Sequence, residues 1–501
     1  MKVLLISPPS RIMNHYRPPL ALMYLSGYLK KHGVAAEIID VTLKNQIRNK
    51  AFYENKDRYL ADVEDKIVRR VESSDCDVAG ITCYTPELDE VKRMAAKIKS
   101  FKPGARVIAG GIHPTLYPDD FLGPVSPFDF VVVGEGEITL LELIKKMDSR
   151  ASDYRGVRGI GFFDKTNSKN VLTEKRPLAK NLDDISFPDC EDLDMDFYTT
   201  PSPYAIRGVF TKSFYISSSR GCPSACSFCV SKKLREYYNA QDFVRLRSPQ
   251  ALFEEVQSLR NNYGIDAFYF IDDLFTLRKK NVFEFCELMV KNKSPLIWGC
   301  SSKVNTVDYE TLKIMRDAGC IQIDFGVEKG TDAALKALKK GVTIEQVKRT
   351  FGHCLNLGIR TFANMLVNTP QETEEDLEDM ARLIRKISPN IVSFNIFSPY
   401  PGCEIYDALA KNIKREDYPL LMNTALLLKE MPDKFRFAAH SIDLLDWTSK
   451  ANKKYNKILP NLAVYFDRRY IRNMIHSKRK AEYLRQVPAL IQEFISQKFY
   501  A

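Results

Sequence analysis

The chain has 501 residues, 45% hydrophobic and 27% charged, with a formal net charge of +11. These values fit a folded chain of more than one domain and exclude a disordered or low-complexity one. No apolar run approaches the ~18 residues of a membrane-spanning helix, and eleven cysteines without a secretory pattern point to a reducing, cytoplasmic setting where thiols serve metals or catalysis.

Residues 1–150 read as a Rossmann-like unit. An apolar strand opens the chain at Lys2–Pro9, a helix follows over Leu20–His32, and a second strand over Ala35–Asp40. Further strands are predicted at Val78–Thr82, Arg106–Gly111 and Phe130–Gly134, with helices between them. Repeated βα units with continuously apolar strands predict a doubly wound sheet, with ligand space at the strand carboxyl ends. Gly110, Gly111 and His113 follow one strand, and Gly134, Glu135 and Gly136 the next. These glycines allow close backbone approach at two adjacent strand ends. No Gly-x-Gly-x-x-Gly dinucleotide fingerprint accompanies them. Residues 151–205 read as a linker region, acidic and proline-punctuated over Asn181–Asp194, that packs across the next domain.

Residues 206–410 alternate strands with amphipathic helical stretches. The strands are expected at Phe214–Ser218, Ala267–Ile271, Ile297–Ser301, Ile321–Val327, Arg360–Val367 and Ile391–Phe397. Such alternation predicts parallel strands whose carboxyl ends gather on one face. Directly after the first lie Cys222, Cys226 and Cys229, at Cys-x3-Cys-x2-Cys spacing. A structural zinc site wants four ligands. Here no histidine lies between His113 and His353, and the next cysteine is Cys286, far downstream in a helical stretch. Three thiolates and a vacancy suit a 4Fe–4S cluster with one iron open for chemistry. The other eight cysteines stand singly in mostly apolar runs and read as small buried hydrophobes.

The cysteine loop, with Phe228 in its aromatic place, resembles that of the radical S-adenosylmethionine (SAM) enzymes. The resemblance continues through Arg245–Pro249 and the apolar strand that ends in Asp272 and Asp273. It implies that one of these two carboxylates meets the SAM amino group, with the choice left open. It also implies that Glu328, in Gly-Val-Glu-Lys-Gly, meets the ribose or methionine part. The bland alternative for these carboxylates is helix capping. Where relatives often read Gly-x-Pro-x-Glu-Thr, this chain has Asn368 in the glycine place. Tyr400, in Pro-Tyr-Pro-Gly, is read as a turn aromatic near the active site.

The order of parts, with Pro18–Leu25, Gly110–Thr115 and Gly134–Glu137 as matching segments, is similar to the subfamily that carries a cobalamin-binding domain before a partial (βα)6 barrel. That implies cobalamin held near Gly110, Gly111, His113, Gly134, Glu135 and Gly136. The Asp-x-His-x-x-Gly motif that supplies a cobalt ligand elsewhere is absent, and His15 lacks its context. Cobalamin is therefore expected without a histidine ligand.

Residues 411–501 form the third unit. From Ala451 to Ala501 there are eleven Lys/Arg against three Asp/Glu, a net of +8. Apolar residues at helical spacing, from Leu462 to Ile495, predict a basic helical domain, expected as a cap over the barrel mouth. Peripheral contact with an anionic membrane is the alternative.

The sequence thus predicts an α/β enzyme: an N-terminal Rossmann-like cobalamin-binding domain, a partial (βα)6 radical SAM barrel and a helical C-terminal domain. The resemblance implies SAM cleavage to a 5′-deoxyadenosyl radical and C-methylation of an unactivated carbon. Cyclisation, rearrangement or carbon–carbon bond formation is the first alternative, and a non-catalytic Fe–S or cobalamin sensor the second. A small-molecule or lipid substrate and a flavodoxin- or ferredoxin-type reductant are the expected partners, and no nucleic acid.

Overall fold

In the computed structural model, the described residues are all but 10–16, 42–55, 241, 410–412, 422–430, 457–462, 477–480, 482, 484–487 and 489–501. His15, Leu462 and the apolar and basic positions singled out beyond residue 476 fall outside them.

Short strands apolar on both faces can be satisfied only under helices on both sides, and the first domain is built that way. Strands β1 (Lys2–Ile6), β2 (Ala35–Ile39), β3 (Val78–Thr82), β4 (Arg106–Gly110) and β5 (Phe130–Val132) lie parallel in the order β2-β1-β3-β4-β5. Val3 to Ile6 pair with Val78 to Ile81 in register, and both sets are fully buried. Two strands that hydrophobic patterning does not reveal, β6 (Ile160–Asp164) and β7 (Lys169–Leu172), extend the sheet antiparallel beyond β5. β7 lies on the sheet edge and is mostly exposed, so its polar Lys-Asn-Val-Leu sequence carries no burial signal.

The second sheet is wholly parallel. Strands β8 (Ser213–Ile216), β11 (Ala267–Phe270), β12 (Ile297–Ser302), β13 (Cys320–Glu328), β14 (Arg360–Val367) and β15 (Ile391–Ile396) follow in chain order around a partial barrel. A small antiparallel pair, β9 (Ser219–Arg220) with β10 (Arg245–Leu246), flanks the cysteine loop. The intervening helices start on side-chain caps that satisfy otherwise orphaned amides: Ser248, Asp308, Thr343 and Thr373 each accept a backbone N–H of the first turn. On the barrel's outer face Phe268, Phe270 and Trp298 form an aromatic cluster with Phe285 of the helix Lys279–Lys291.

The acidic segment straps the domains together. Asp189 accepts from Ser26 at 2.6 Å and from Lys30 at 2.7 Å on the helix Leu20–Lys31. Asp183 accepts the Ser248 amide at 2.9 Å on the barrel side.

The C-terminal unit differs from its expectation as a mouth cap. Residues 413–421 and 431–443 lie on the mouth side, against both domains. The helix Leu444–Tyr455 lies along the open barrel edge at β15. The basic helix Arg468–His476 sits at the opposite end. Arg469 Nη1 donates to the Arg316 carbonyl at 3.1 Å, Tyr470 to the Phe210 carbonyl at 2.9 Å, and Asn473 to the Pro295 carbonyl at 2.7 Å. Those carbonyls precede β13, β8 and β12, so this helix closes the floor of the barrel. Arg469, Tyr470 and Asn473 find backbone carbonyls there, which charge patterning along the chain cannot locate.

Candidate active site

The cysteine loop leaves the barrel through Gly221. This residue has φ +87°, and a Cβ here would stand 2.7 Å from the Phe243 carbonyl, so only glycine fits. Cys226 is buried, Cys222 and Cys229 are half-buried, and all three are free thiols. The loop is anchored between them: Ser227 donates its amide to the Leu338 carbonyl at 3.1 Å and accepts that of Ile405 at 3.0 Å. Among the described residues no three His, Cys, Asp or Glu side chains are drawn together as a ligand set in this structure. Of the eight single cysteines, all but Cys190 are buried.

The two adjacent aspartates at the end of β11 do different work. Asp272 is buried, and its oxygens accept from the Ser218 amide (2.8 Å) and hydroxyl (2.7 Å) and from the Ser219 amide (2.6 Å) and hydroxyl (3.0 Å). It ties the strand end to the root of the cysteine loop. Burial raises its pKa to about 6, with the serine hydrogen bonds opposing. Asp273 points the other way and reaches solvent. The surrounding protein raises its carboxyl above the usual range, and Ser231 opposes with a hydrogen bond. Ser231 in turn accepts from Cys229 Sγ at 3.3 Å, which puts Asp273 beside the cysteine loop.

Glu328 ends β13 with φ +70°, a strained conformation for a glutamate. Its carboxylate pairs with Lys340 at 2.7 Å. A Cβ on Gly326 would fall 2.4 Å from Glu328 Oε1 and 2.5 Å from Lys340 Nζ, so that glycine makes room for the pair. Lys340 also stands 5.7 Å over the Phe228 ring. Lys303, after β12, donates to Ser224 Oγ at 3.2 Å within the cysteine loop. Neither lysine announces itself in the sequence, because Lys303 comes to the site from the end of β12 and Lys340 from the turn after the helix Asp332–Ala337.

Asn368 occupies the left-handed region at φ +69°, which asparagine tolerates better than most residues. Its side chain donates to the carbonyls of Phe397 (3.1 Å) and Phe435 (2.7 Å) and accepts the Phe437 amide at 2.9 Å. The substituted glycine is thereby explained: asparagine keeps the turn and adds a tether to the C-terminal segment. Beyond it Glu372 pairs with Lys329 and accepts the Asn368 amide at 2.8 Å.

On the Rossmann side, Gly111 (φ +109°) would bring a Cβ to 3.0 Å from the Cys83 carbonyl, and Gly134 (φ +95°) one to 2.7 Å from the Tyr238 hydroxyl. Gly110 ends β4, and Gly136 begins the helix Gly136–Asp148. His113 is fully buried, with Nδ1 3.0 Å from Thr85 Oγ1 and Nε2 3.0 Å from Asp120 Oδ2. Both ring nitrogens are therefore engaged within the protein. Glu135 turns to the barrel, taking Arg245 at 2.6 and 2.9 Å and Arg220 at 3.3 Å. Glu137 takes Arg220 at 2.5 and 3.2 Å. Tyr84 (52% exposed) and Ile112 (38% exposed) stand at the ends of β3 and β4 as open apolar surface. Pattern reading passed over both, since a single exposed apolar residue carries no signal.

The radical SAM superfamily pattern matches residues 216–384 and the B12 binding domain pattern residues 14–144. The chain is 30% identical over 423 residues to the uncharacterized methyltransferase PH0819 of Pyrococcus horikoshii, covering 82% of this chain and 84% of that protein. The chain belongs to the radical SAM enzymes that carry a B12-binding domain. It is also 28% identical over 428 residues to the anaerobic magnesium-protoporphyrin IX monomethyl ester cyclase of Rubrivivax gelatinosus, covering 83% of this chain and 72% of that one. The fold matches that of the radical SAM methyltransferase TsrM from Kitasatospora setae, solved with cobalamin and a [4Fe-4S] cluster bound, at TM-score 0.62 and 18% identity, over 82% of this chain and 75% of that chain.

The residues of this radical SAM/B12 enzyme fit the groups the family uses. Three soft thiol donors on one loop suit an iron–sulfur cluster rather than a hard cation. The exposed Tyr84 and Ile112, beside glycine-lined strand ends, offer apolar surface that suits a broad macrocycle, while both ring nitrogens of His113 are engaged elsewhere.

Proposed function

We propose that this radical SAM/B12 enzyme methylates an unactivated carbon of its substrate, with Cys222, Cys226 and Cys229 holding a 4Fe–4S cluster and the strand ends of β3–β5 holding cobalamin. The observation that carries the reading is the Glu137–Arg220 pair. Arg220 stands two residues before Cys222, so the carboxylate of the B12 domain fixes the root of the cysteine loop directly. That pairing supports a reading in which both cofactor regions share one mouth, as radical formation and methyl delivery to the same carbon require.

When bound, the cluster supplies the electron that cleaves SAM to a 5′-deoxyadenosyl radical, and cobalamin supplies the methyl group. The chain's own residues bind and orient. Asp273 is the carboxylate left open for the SAM ammonium, since Asp272 is taken up by Ser218 and Ser219. Glu328 and Lys340, preset as a pair, offer a hydrogen-bonding edge to the ribose or methionine part. A reductant of flavodoxin or ferredoxin type would deliver the electron. Cyclisation without methyl transfer is the second reading, and the similarity to the Rubrivivax gelatinosus cyclase favours it. For the basic tail, exposed Phe466, Met474 and Ile475 beside exposed Arg468 and Arg472 support contact with an anionic membrane; sedimentation with anionic liposomes at physiological salt tests it, and no binding sinks it.

The deciding experiment is anaerobic reconstitution with iron, sulfide and hydroxocobalamin, then reduction with SAM and chromatography. Deoxyadenosine that disappears in Cys222→Ala, Cys226→Ala and Cys229→Ala, with S-adenosylhomocysteine and retained cobalamin, is the expected result. Deoxyadenosine without bound cobalamin would overturn methylation in favour of cyclisation.

A further inference from the structure

The inner face of the barrel is polar where its outer face is apolar. Along β14 and β15, Ala363, Met365, Val392 and Phe394 join the core beneath the helices, while the alternating Asn364, Ser393 and Asn395 are half-buried on the other face. Strand register carries this alternation around the sheet. Tyr215, Tyr269, Gly299, Gln322 and Arg360 form one row, and Ser301, Asp324, Phe362 and Ile391 the row above. Gly299 is needed there, because a Cβ would meet the Tyr269 ring at 3.1 Å. A barrel filled for stability alone packs branched apolar side chains into this space.

Three cations stand against this face: Arg360 donates to Gln322 Oε1 at 2.7 Å, the Arg17 guanidinium lies 5.7 Å over the Tyr215 ring, and Arg207 enters from the segment preceding β8. Arg207 lies with its guanidinium 4.3 Å over the Phe362 ring and 3.8 Å from Asp324 Oδ2, too far for a hydrogen bond, and its side chain is 43% exposed. Asp324 is buried and accepts from Gln322 Nε2 at 2.9 Å. A guanidinium stacked on one face and open at its edge presents a fork of N–H donors that matches a carboxylate or phosphate.

We infer that Arg207 seats an anionic group of the substrate in this lumen, so that the substrate is a small polar molecule bearing a carboxylate or phosphate rather than a lipid chain. Asp324 stands beside the anion position and holds Arg207 in place at a cost in anion affinity. This rests on the radical SAM/B12 reading, which places the reacting substrate carbon toward the carboxyl ends of these strands, with the anion seated deeper in the lumen.

The test is arginine-specific labelling of the full chain by phenylglyoxal, read peptide by peptide by mass spectrometry, with exposed Arg472 as reference. Inorganic phosphate and glutarate are the probes, and sodium chloride at equal ionic strength the control. Arg207 is expected to label, and a probe at about twice its dissociation constant slows that labelling about threefold while leaving Arg472 unchanged. Asp324→Asn should deepen the protection. Protection by phosphate alone assigns a phosphate substrate, by glutarate alone a carboxylate one, and by both the shared anion site. No labelling of Arg207, or equal rates with probe and chloride, overturns the inference. Because labelling needs no cluster, SAM or cobalamin, its failure is separate from a failure of SAM cleavage, which would sink the functional reading instead.

Discussion

Glu135 and Arg245 meet in a two-pronged ion pair, at 2.6 and 2.9 Å, that joins the last parallel strand end of the Rossmann sheet to the short β10 strand beside the cysteine loop. Arg245 is almost fully buried and also donates to the Ala179 carbonyl at 2.9 Å. Burial opposes the Glu135 charge, yet Arg245 and Arg220 hold its carboxyl below the usual range. The stability this pair contributes is therefore present at neutral pH and is lost as pH falls through the lowered value.

Arg245→Met should cost about 1–3 kcal/mol, since it removes both charge-assisted bonds and leaves the half-buried Glu135 carboxylate with Arg220 alone at 3.3 Å. Its loss should appear first at the domain junction, as new protease cleavage between residues 174 and 205 while the barrel still resists. Because the pair is largely shielded from solvent, 0.5 M salt should leave wild-type junction protection nearly unchanged. A variant as protease-resistant as the wild type would show that the acidic strap through Asp189 and Asp183 suffices to hold the domains.

Asp272 gives a pH dependence of the opposite sign. Its folded-state pKa of about 6 lies above the ordinary 3.8, so the folded protein binds the proton more tightly. The contribution is complete below the unfolded value and is lost as pH rises through the folded one, between about pH 4 and 6. Asp272→Asn should remove that slope from denaturant titrations of the cofactor-free chain. It should also lower stability at pH 7 by about 1–3 kcal/mol, because an amide NH2 would face the donors of Ser218 and Ser219. Identical pH slopes in both proteins would contradict the assignment.

How far these sites were legible in the sequence follows from their range. The cysteine loop and the barrel strands were readable, because spacing and β-rich runs are local. That Asp272 clamps while Asp273 stays open was not, since the choice depends on serines more than fifty positions earlier. The Gly-Glu-Gly-Glu segment shows its glycines in sequence but hides the arginines its carboxylates bind. The net charge of the tail was visible, but the floor carbonyls that receive Arg469 come from the last turn of a distant helix, Tyr309–Asp317.

Asn368 separates two roles that glycine cannot combine. Asn368→Gly keeps the left-handed turn but loses the bonds to Phe397, Phe435 and Phe437, whereas Asn368→Ala loses the bonds and adds about 1–2 kcal/mol of backbone strain. Hydrogen exchange should therefore quicken at the Phe437 amide in both variants, and at the Glu372 turn in the alanine variant alone. Thermal stability should fall in the order wild type, glycine, alanine. A glycine variant with a fully protected Phe437 amide would mean that the 435–440 segment is held by packing instead.

The open edge of the barrel poses the last problem, because an exposed strand with free N–H and C=O groups invites pairing between molecules. Here a helix supplies the missing partner. Asn456 accepts the Val392 amide at 2.8 Å and donates to its carbonyl at 2.8 Å. Asn452 does the same for Phe394, at 2.8 and 3.4 Å. Two asparagines four residues apart, Asn452 in the helix Leu444–Tyr455 and Asn456 at its C-cap, thus stand in for a strand along β15, while Trp447 packs edge-on against Phe394 at 5.1 Å. Replacing either with alanine leaves a buried amide and carbonyl unpaired, at about 1–3 kcal/mol per group. Asn452→Ala and Asn456→Ala should each lower the melting temperature, and the double variant should aggregate on mild heating, as light scattering would record. A double variant that melts lower but stays monodisperse would show that the helix covers the edge by packing, and that the asparagines add stability without guarding against association.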